Sequence, residues 1–170
     1  MVVYDARDGD LVWQATAEHT QQVEVGDFLE GVPGPHVAAA ARTYGNRSAG
    51  EEYLWSQVWW FDREGHLLTK WPGRALNGNP DFVKGDWAED GQVELFWYKF
   101  HMKRDGTGEL YFADPVYHMF DFMGDGAEEV ITLQDSTLSV YGSSRAAPAG
   151  ERVERSTDYV RERVVNHTHY

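Results

Sequence analysis

The sequence predicts an all-β chain organised as a β-propeller of about three and a half four-stranded blades, and three observations lead there. An aspartate followed by an aromatic ends a short apolar run and opens an acidic turn three times, at Asp27-Phe28, Asp86-Trp87 and Asp121-Phe122. The last two copies keep one register, with Asp86, Asp90-Gly91 and Glu94 at the same offsets as Asp121, Asp125-Gly126 and Glu129. Between these turns a second unit repeats: Tyr4-Asp5, Gly9, Leu11 and Trp13 resemble Phe61-Asp62, Gly65, Leu67 and Trp71. Each reads as a hairpin, because Asp and Gly supply the dihedrals of a tight reversal between β-branched and aromatic residues. Composition agrees, with 14% aromatics, 17 glycines and no amphipathic helical period. Strand, acidic turn, strand, loop and hairpin make four strands per unit, which is a propeller blade.

Taken in order, residues 1–14 read as the outer hairpin of a blade whose inner strands are missing. Residues 22–72 form the next blade, with inner strands near 22–28 and 36–44, a polar loop, and the hairpin ending at Trp71. Residues 81–115 form a third, with strands at 82–87 and 93–101, a turn at Asp105-Gly106 and a strand at 109–113. The fourth, 116–142, takes strands at 117–122, 129–133 and 137–141, and 143–170 is a Ser, Ala, Pro and Gly loop followed by a charged closing tail. Closed rings ordinarily have four to eight blades, so the chain reads as a partial ring and a fragment. Its expected partners include the missing propeller blades of a parent chain. Two uncovered blade faces predict poor solubility or self-association.

Bulk properties narrow the partners. A formal charge of −13 argues against nucleic acid, since a polyanion wants a basic surface. No stretch approaches transmembrane length, so no membrane partner is expected. The absence of cysteine removes disulfides and thiolate metal chemistry. An anionic polysaccharide would need a local basic cluster.

The acidic turns raise calcium as a cofactor, because an ion of that hardness collects several carboxylate and carbonyl oxygens. Asp86, Asp90, Glu94, Asp121, Asp125 and Glu129 are the candidate ligands. The third loop position, a ligand in many calcium loops, is Leu29, Ala88 or Met123, so one expected oxygen is lost in each copy. The competing reading is that the leading Asp accepts backbone N–H groups while Asp-Gly makes the turn. Among the tryptophans, Trp59, Trp60, Trp71, Trp87 and Trp97 suit packing between blades, whereas Trp55 beside a polar loop suits a sugar ring.

Topology separates two rims. The acidic turns join first and second strands and share one rim. The loops at 42–53 and 99–105, read as joining second and third strands, fall on the other with the connection at 74–79. That opposite rim would gather Arg42, Arg47, Arg74, Lys103 and Arg104 together with Tyr44 and His101, and loops on a rigid scaffold commonly carry function. His36, His66 and His118 stand in strand or hairpin contexts and read as structural.

Four stretches, Asp27–Gly34, Val58–Leu68, Asp121–Leu133 and Tyr159–Tyr170, resemble in order the carboxy-terminal part of bacterial rhamnogalacturonan lyases and related FG-GAP-like propeller lyases. The resemblance implies a calcium-containing, eight-bladed propeller that works in an extracellular or periplasmic setting on an acidic polysaccharide. It also implies β-elimination: a base removes the proton at C5 of a uronic acid, a cation neutralises the adjacent carboxylate, and an acid protonates the leaving oxygen. On this implication His101 or Tyr44 supplies the base or acid. Arg42 or Arg104 clamps the carboxylate, and Arg47, Trp55, Arg74 and Lys103 complete substrate binding. A non-catalytic propeller that binds carbohydrate or protein is the alternative.

Overall fold

The computed structural model describes residues 1–17, 19–43, 55–72, 81–88 and 90–142, and at 19, 21, 42, 43, 55 and 56 the backbone alone. Thirteen strands form four antiparallel sheets, and no helix occurs among the described residues. Sheet 1 pairs β1 (Val2–Tyr4) with β2 (Leu11–Gln14). Sheet 2 runs β3 (His19–Gly26), β4 (His36–Thr43), β5 (Trp55–Phe61) and β6 (Leu67–Trp71). Sheet 3 runs β7 (Phe82–Gly85), β8 (Glu94–Trp97), β9 (Phe100–Met102) and β10 (Gly108–Leu110). Sheet 4 runs β11 (Val116–Phe120), β12 (Glu129–Gln134) and β13 (Thr137–Tyr141). Each strand lies beside its predecessor in sequence, so every sheet is a meander.

Alternation along the strands explains why the sheets stack. In β4, Ala38 and Ala40 point to one face of sheet 2 and Val37, Ala39 and Ala41 to the other, and all five are buried. A strand buried on both faces loses its polar alternation, and alanine is a poor strand former. The register compensates by setting Ala38 opposite Trp60, Ala39 opposite Trp59 and Ala40 opposite Val58, so large side chains roof the small ones.

Three apolar layers result. Met1, Trp13, Ala15 and Ala17 cover Val37, Ala39, Trp59 and Phe61 between sheets 1 and 2. Ala38, Ala40, Val58 and Trp60 meet Phe82, Leu95, Trp97 and Met102 between sheets 2 and 3. Val83, Phe96 and Phe112 meet Val116, Met119 and Val130 between sheets 3 and 4. Two indoles find partners across these layers: the Trp60 indole donates to the Gly106 carbonyl at 2.9 Å, and the Trp13 indole to the Arg63 carbonyl at 3.1 Å.

Sheets 2, 3 and 4 meet along their first strands. The Phe82 N–H donates to Gln22 Oε1 at 2.6 Å, and Lys84 pairs with Glu24 at 2.6 Å while donating to the Val25 carbonyl at 3.2 Å. Partners therefore climb together along β3 and β7, which run in one direction side by side. β11 lies against β7 in turn, and a Cβ added at Gly85 would sit 2.6 Å from Met119 Cε. The turns leaving these three strands consequently share one rim, the acidic rim.

Sheet 3 corrects one sequence expectation. The run 93–101, read as a single strand, is broken by a reversal at Tyr98-Lys99, with Tyr98 at φ 59°. The segment 103–107 therefore joins third and fourth strands, closed by Lys103 N–H to the Thr107 carbonyl at 2.7 Å. Lys103 and Arg104 belong to the acidic rim, not the opposite one. The Glu30 N–H donates to the Arg104 carbonyl at 2.9 Å, and the Arg104 guanidinium donates to Gln92 Oε1, which ties the segment to two acidic turns.

Candidate functional site

The acidic rim is built from turns that satisfy themselves. Asp86 opens its turn with Oδ1 accepting from the Asp90 N–H at 3.0 Å and Oδ2 from the Gly91 N–H at 2.9 Å. Glu94, opening β8, reaches back so that one oxygen accepts from the Trp87 N–H at 2.8 Å and the Ala88 N–H at 3.4 Å. The next turn repeats the pattern. Asp121 accepts from Gly124, Asp125 and Gly126 at 2.6, 3.0 and 3.1 Å, and Glu129 accepts from Phe122 and Met123 at 2.7 and 2.9 Å. Gly91 at φ 80° and Gly126 at φ 94° supply the left-handed residue that each reversal needs.

The first turn does the same work with another side chain. His36, fully buried at the start of β4, accepts from the Phe28 and Leu29 N–H groups through Nδ1 at 3.1 and 3.2 Å. Two donors on Nδ1 leave the proton on Nε2, which donates to the Val32 carbonyl at 3.1 Å. His36 thus replaces the glutamate of the other copies in a turn one residue longer. That shift in register hid the equivalence. A further link went unread: Glu128, buried, accepts from the Asp86 N–H at 2.7 Å and staples the second turn to the third. A Cβ at Gly85 would displace the Glu128 carboxylate from this position.

Three of the expected metal ligands come together. One oxygen each from Asp86, Asp90 and Glu94 lies within 4.8 Å of the other two, a spacing that could hold a metal ion. Among the described residues no second group forms, so Asp121, Asp125 and Glu129 are not gathered in this way. Burial pushes the Glu94 carboxyl above its ordinary value, the Trp87 and Ala88 N–H groups oppose that, and the charges of Asp86 and Asp90 add to it. Glu129 is raised the same way, by burial first and then by Asp125 and Asp121 against the Met123 and Phe122 N–H groups. A cation among such groups relieves the like-charge repulsion.

The expected basic cluster divides. His101 sits mid-strand in β9, half-buried between Phe96 at 5.1 Å and Tyr111 at 5.7 Å between ring centroids. Burial holds its imidazole below the usual histidine range, against Glu109, which raises it, and with Lys103, which lowers it. Lys103 is neutralised by Glu109 at 2.7 Å. Arg104 makes no ion pair among the described residues and donates to Gln92. Arg42 is the penultimate residue of β4 and Trp55 opens β5 on the opposite rim, with only their backbones described. Tyr44, Arg47 and Arg74 lie outside the described residues. Arg42 and Arg104 are therefore on different rims, so the single cluster expected from the sequence does not form. Trp59, Trp60 and Trp97 are buried in the layers between sheets.

No family model, curated protein or solved structure matches this chain.

Proposed function

We propose that the chain is a stretch of β-propeller from a polysaccharide lyase that cleaves rhamnogalacturonan by β-elimination in an extracellular or periplasmic setting. The observation that carries the reading is the stack itself. Sheets follow one another in chain order, and sheets 2, 3 and 4 meet along their first strands and turn on one rim, in the sequence in which the lyase-like stretches occur.

His101 serves as the base, since burial keeps the imidazole unprotonated near neutrality. Arg104, free of a carboxylate partner among the described residues, clamps the uronate through paired N–H donors. Lys103 contributes less, being offset by Glu109. A calcium ion held by Asp86, Asp90 and Glu94 would bring positive charge to an otherwise acidic rim facing an acidic polysaccharide. With the third loop position apolar, its remaining ligands would be backbone carbonyls and water.

The test is incubation with rhamnogalacturonan while following the ultraviolet absorbance of the unsaturated uronate product. The expected outcome is a rise in absorbance that His101→Ala reduces at least about a hundredfold, the usual weight of a general base. Its acid limb should fall below the ordinary histidine value of 6.5, because burial lowers the folded pKa. No rise with or without calcium, across several uronic-acid polymers, contradicts the lyase reading. A second reading, a non-catalytic carbohydrate- or protein-binding module, is favoured by the carboxylates already taken by backbone donors. It predicts calorimetric binding with no absorbance change.

A further inference from the structure

We propose that Asp90 and Asp125 are latent isoaspartate sites, and that Asp86 and Asp121 keep them in the ordinary form by holding the amide proton whose departure starts the reaction. The proposal rests on the turns alone and is independent of the lyase reading.

An Asp-Gly bond is especially open to this change, because glycine has no Cβ to hinder attack by its own nitrogen. The glycine nitrogen loses its proton and bonds to the aspartate Cγ while the side-chain carboxyl gives up its hydroxyl, so that one water leaves. Water then opens the five-membered imide at either carbonyl. Opening at the side-chain carbonyl restores aspartate. Opening at the main-chain carbonyl leaves isoaspartate, whose main chain runs through Cβ and Cγ and is one carbon longer.

The sequence holds four Asp-Gly bonds, Asp8-Gly9, Asp90-Gly91, Asp105-Gly106 and Asp125-Gly126. All four glycines have positive φ. All four aspartates turn Oδ1 to the N–H two residues on, at 3.0 Å for Asp10, 3.0 Å for Gln92, 2.9 Å for Thr107 and 3.0 Å for Ala127. What differs is the acceptor of the glycine N–H. Gly9 donates to the Asp5 carbonyl at 2.8 Å and Gly106 to the Lys103 carbonyl at 2.9 Å, both main-chain groups. Gly91 donates instead to Asp86 Oδ2 at 2.9 Å and Gly126 to Asp121 Oδ2 at 3.1 Å. A carboxylate opposes loss of that proton in two ways. The hydrogen bond to a charged acceptor is strong, and removing the proton would set an amide anion against an existing negative charge. The same leading aspartate takes the Asp90 or Asp125 N–H at 3.0 Å, so the peptide units before and after the reacting residue are both held. Isoaspartate at 90 would add a carbon inside the turn closed by Asp86 and Glu94, and would move the Asp90 carboxylate away from the other two acids.

Ageing of the folded 170-residue chain in mildly acidic buffer, followed by electron-transfer fragmentation of its peptides, measures isoaspartate at each of the four bonds. In the folded wild type Asp90 and Asp125 should convert at least about tenfold more slowly than in the same chain unfolded in urea, the weight of one charge-assisted hydrogen bond. Asp86→Ala should speed conversion at Asp90 by about tenfold and leave Asp8, Asp105 and Asp125 at their wild-type rates, and Asp121→Ala should do the same for Asp125 alone. Where an alanine variant speeds all four bonds together its fold is lost, and Asp86→Asn or Asp121→Asn, which removes the charge and one acceptor oxygen, takes its place with the same expected direction. Folded wild-type rates equal to those in urea overturn the proposal. A folded Asp86 or Asp121 variant that leaves its own Asp-Gly bond at the wild-type rate overturns the role given to the leading aspartate.

Discussion

Each acidic turn holds its shape because the side chain that opens the second strand reaches back to the first two backbone N–H groups of the turn, and the leading aspartate accepts the later ones. Glu94→Ala removes the acceptor for two N–H groups and is expected to cost about 1–2 kcal/mol, whereas Glu94→Gln keeps an acceptor oxygen and should cost less than half of that. His36→Ala should cost more, about 2–4 kcal/mol in chemical denaturation, because it adds a cavity at a fully buried site. The pH response follows from the same turns. Glu94 and Glu129 have folded pKa values raised above the ordinary glutamate value of 4.5, so between that value and their raised ones the folded state binds more protons than the unfolded chain. Their contribution to stability therefore grows as pH falls through that window and is lost as pH rises out of it. Calcium at the Asp86 group should raise the melting temperature at neutral pH and flatten the Glu94 part of this dependence, and a melting temperature indifferent to calcium and chelator would remove the ion. The Asp and Asp-Gly roles were legible because those residues carry their turn chemistry in their own type. The part played by His36 was not, since one extra residue broke the register and a histidine does not announce itself as a substitute for glutamate.

The strands were legible where alternation and turn residues agree, as in β1, β2, β5 and β6 with their Asp and Gly hairpins. The expectation failed at β8 and β9, since the reversal between them uses Tyr98 in a positive-φ conformation that its residue type does not signal. That one turn moved Lys103 and Arg104 to the other rim and dissolved the expected basic cluster. Contact between sheets sets the strongest requirements on single residues. Trp60 is fully buried, packs edge-on to Phe28 at 5.9 Å and donates to Gly106, so Trp60→Ala should cost about 3–5 kcal/mol. Gly85→Ala drives a Cβ into Glu128 Oε2 and Met119, and denaturant unfolding should show a loss of about 1–3 kcal/mol. An unchanged midpoint for Gly85→Ala would mean that sheets 3 and 4 are not stapled there.

Across the whole molecule, the functional reading depends on how the sheets are arranged more than on any one side chain. The sequence carried the all-β class, the meander order and the repeat, because these are written in local pattern. It did not carry which rim each loop occupies, because that depends on the parity of turns and a single missed reversal inverts it. The acidic rim and the placement of Arg104 beside Gln92 follow from sheets 2, 3 and 4 meeting along their first strands. The absence of cysteine from the sequence makes this arrangement directly measurable by paired cysteine substitution and a short bifunctional maleimide. Glu24→Cys with Lys84→Cys should cross-link within one chain as efficiently as the register partners Gln134→Cys with Thr137→Cys. Glu24→Cys with Leu110→Cys, the latter on the last strand of sheet 3, should not. Failure of the Glu24 and Lys84 pair to link, while the Gln134 and Thr137 pair does, would contradict the stack and the propeller reading with it.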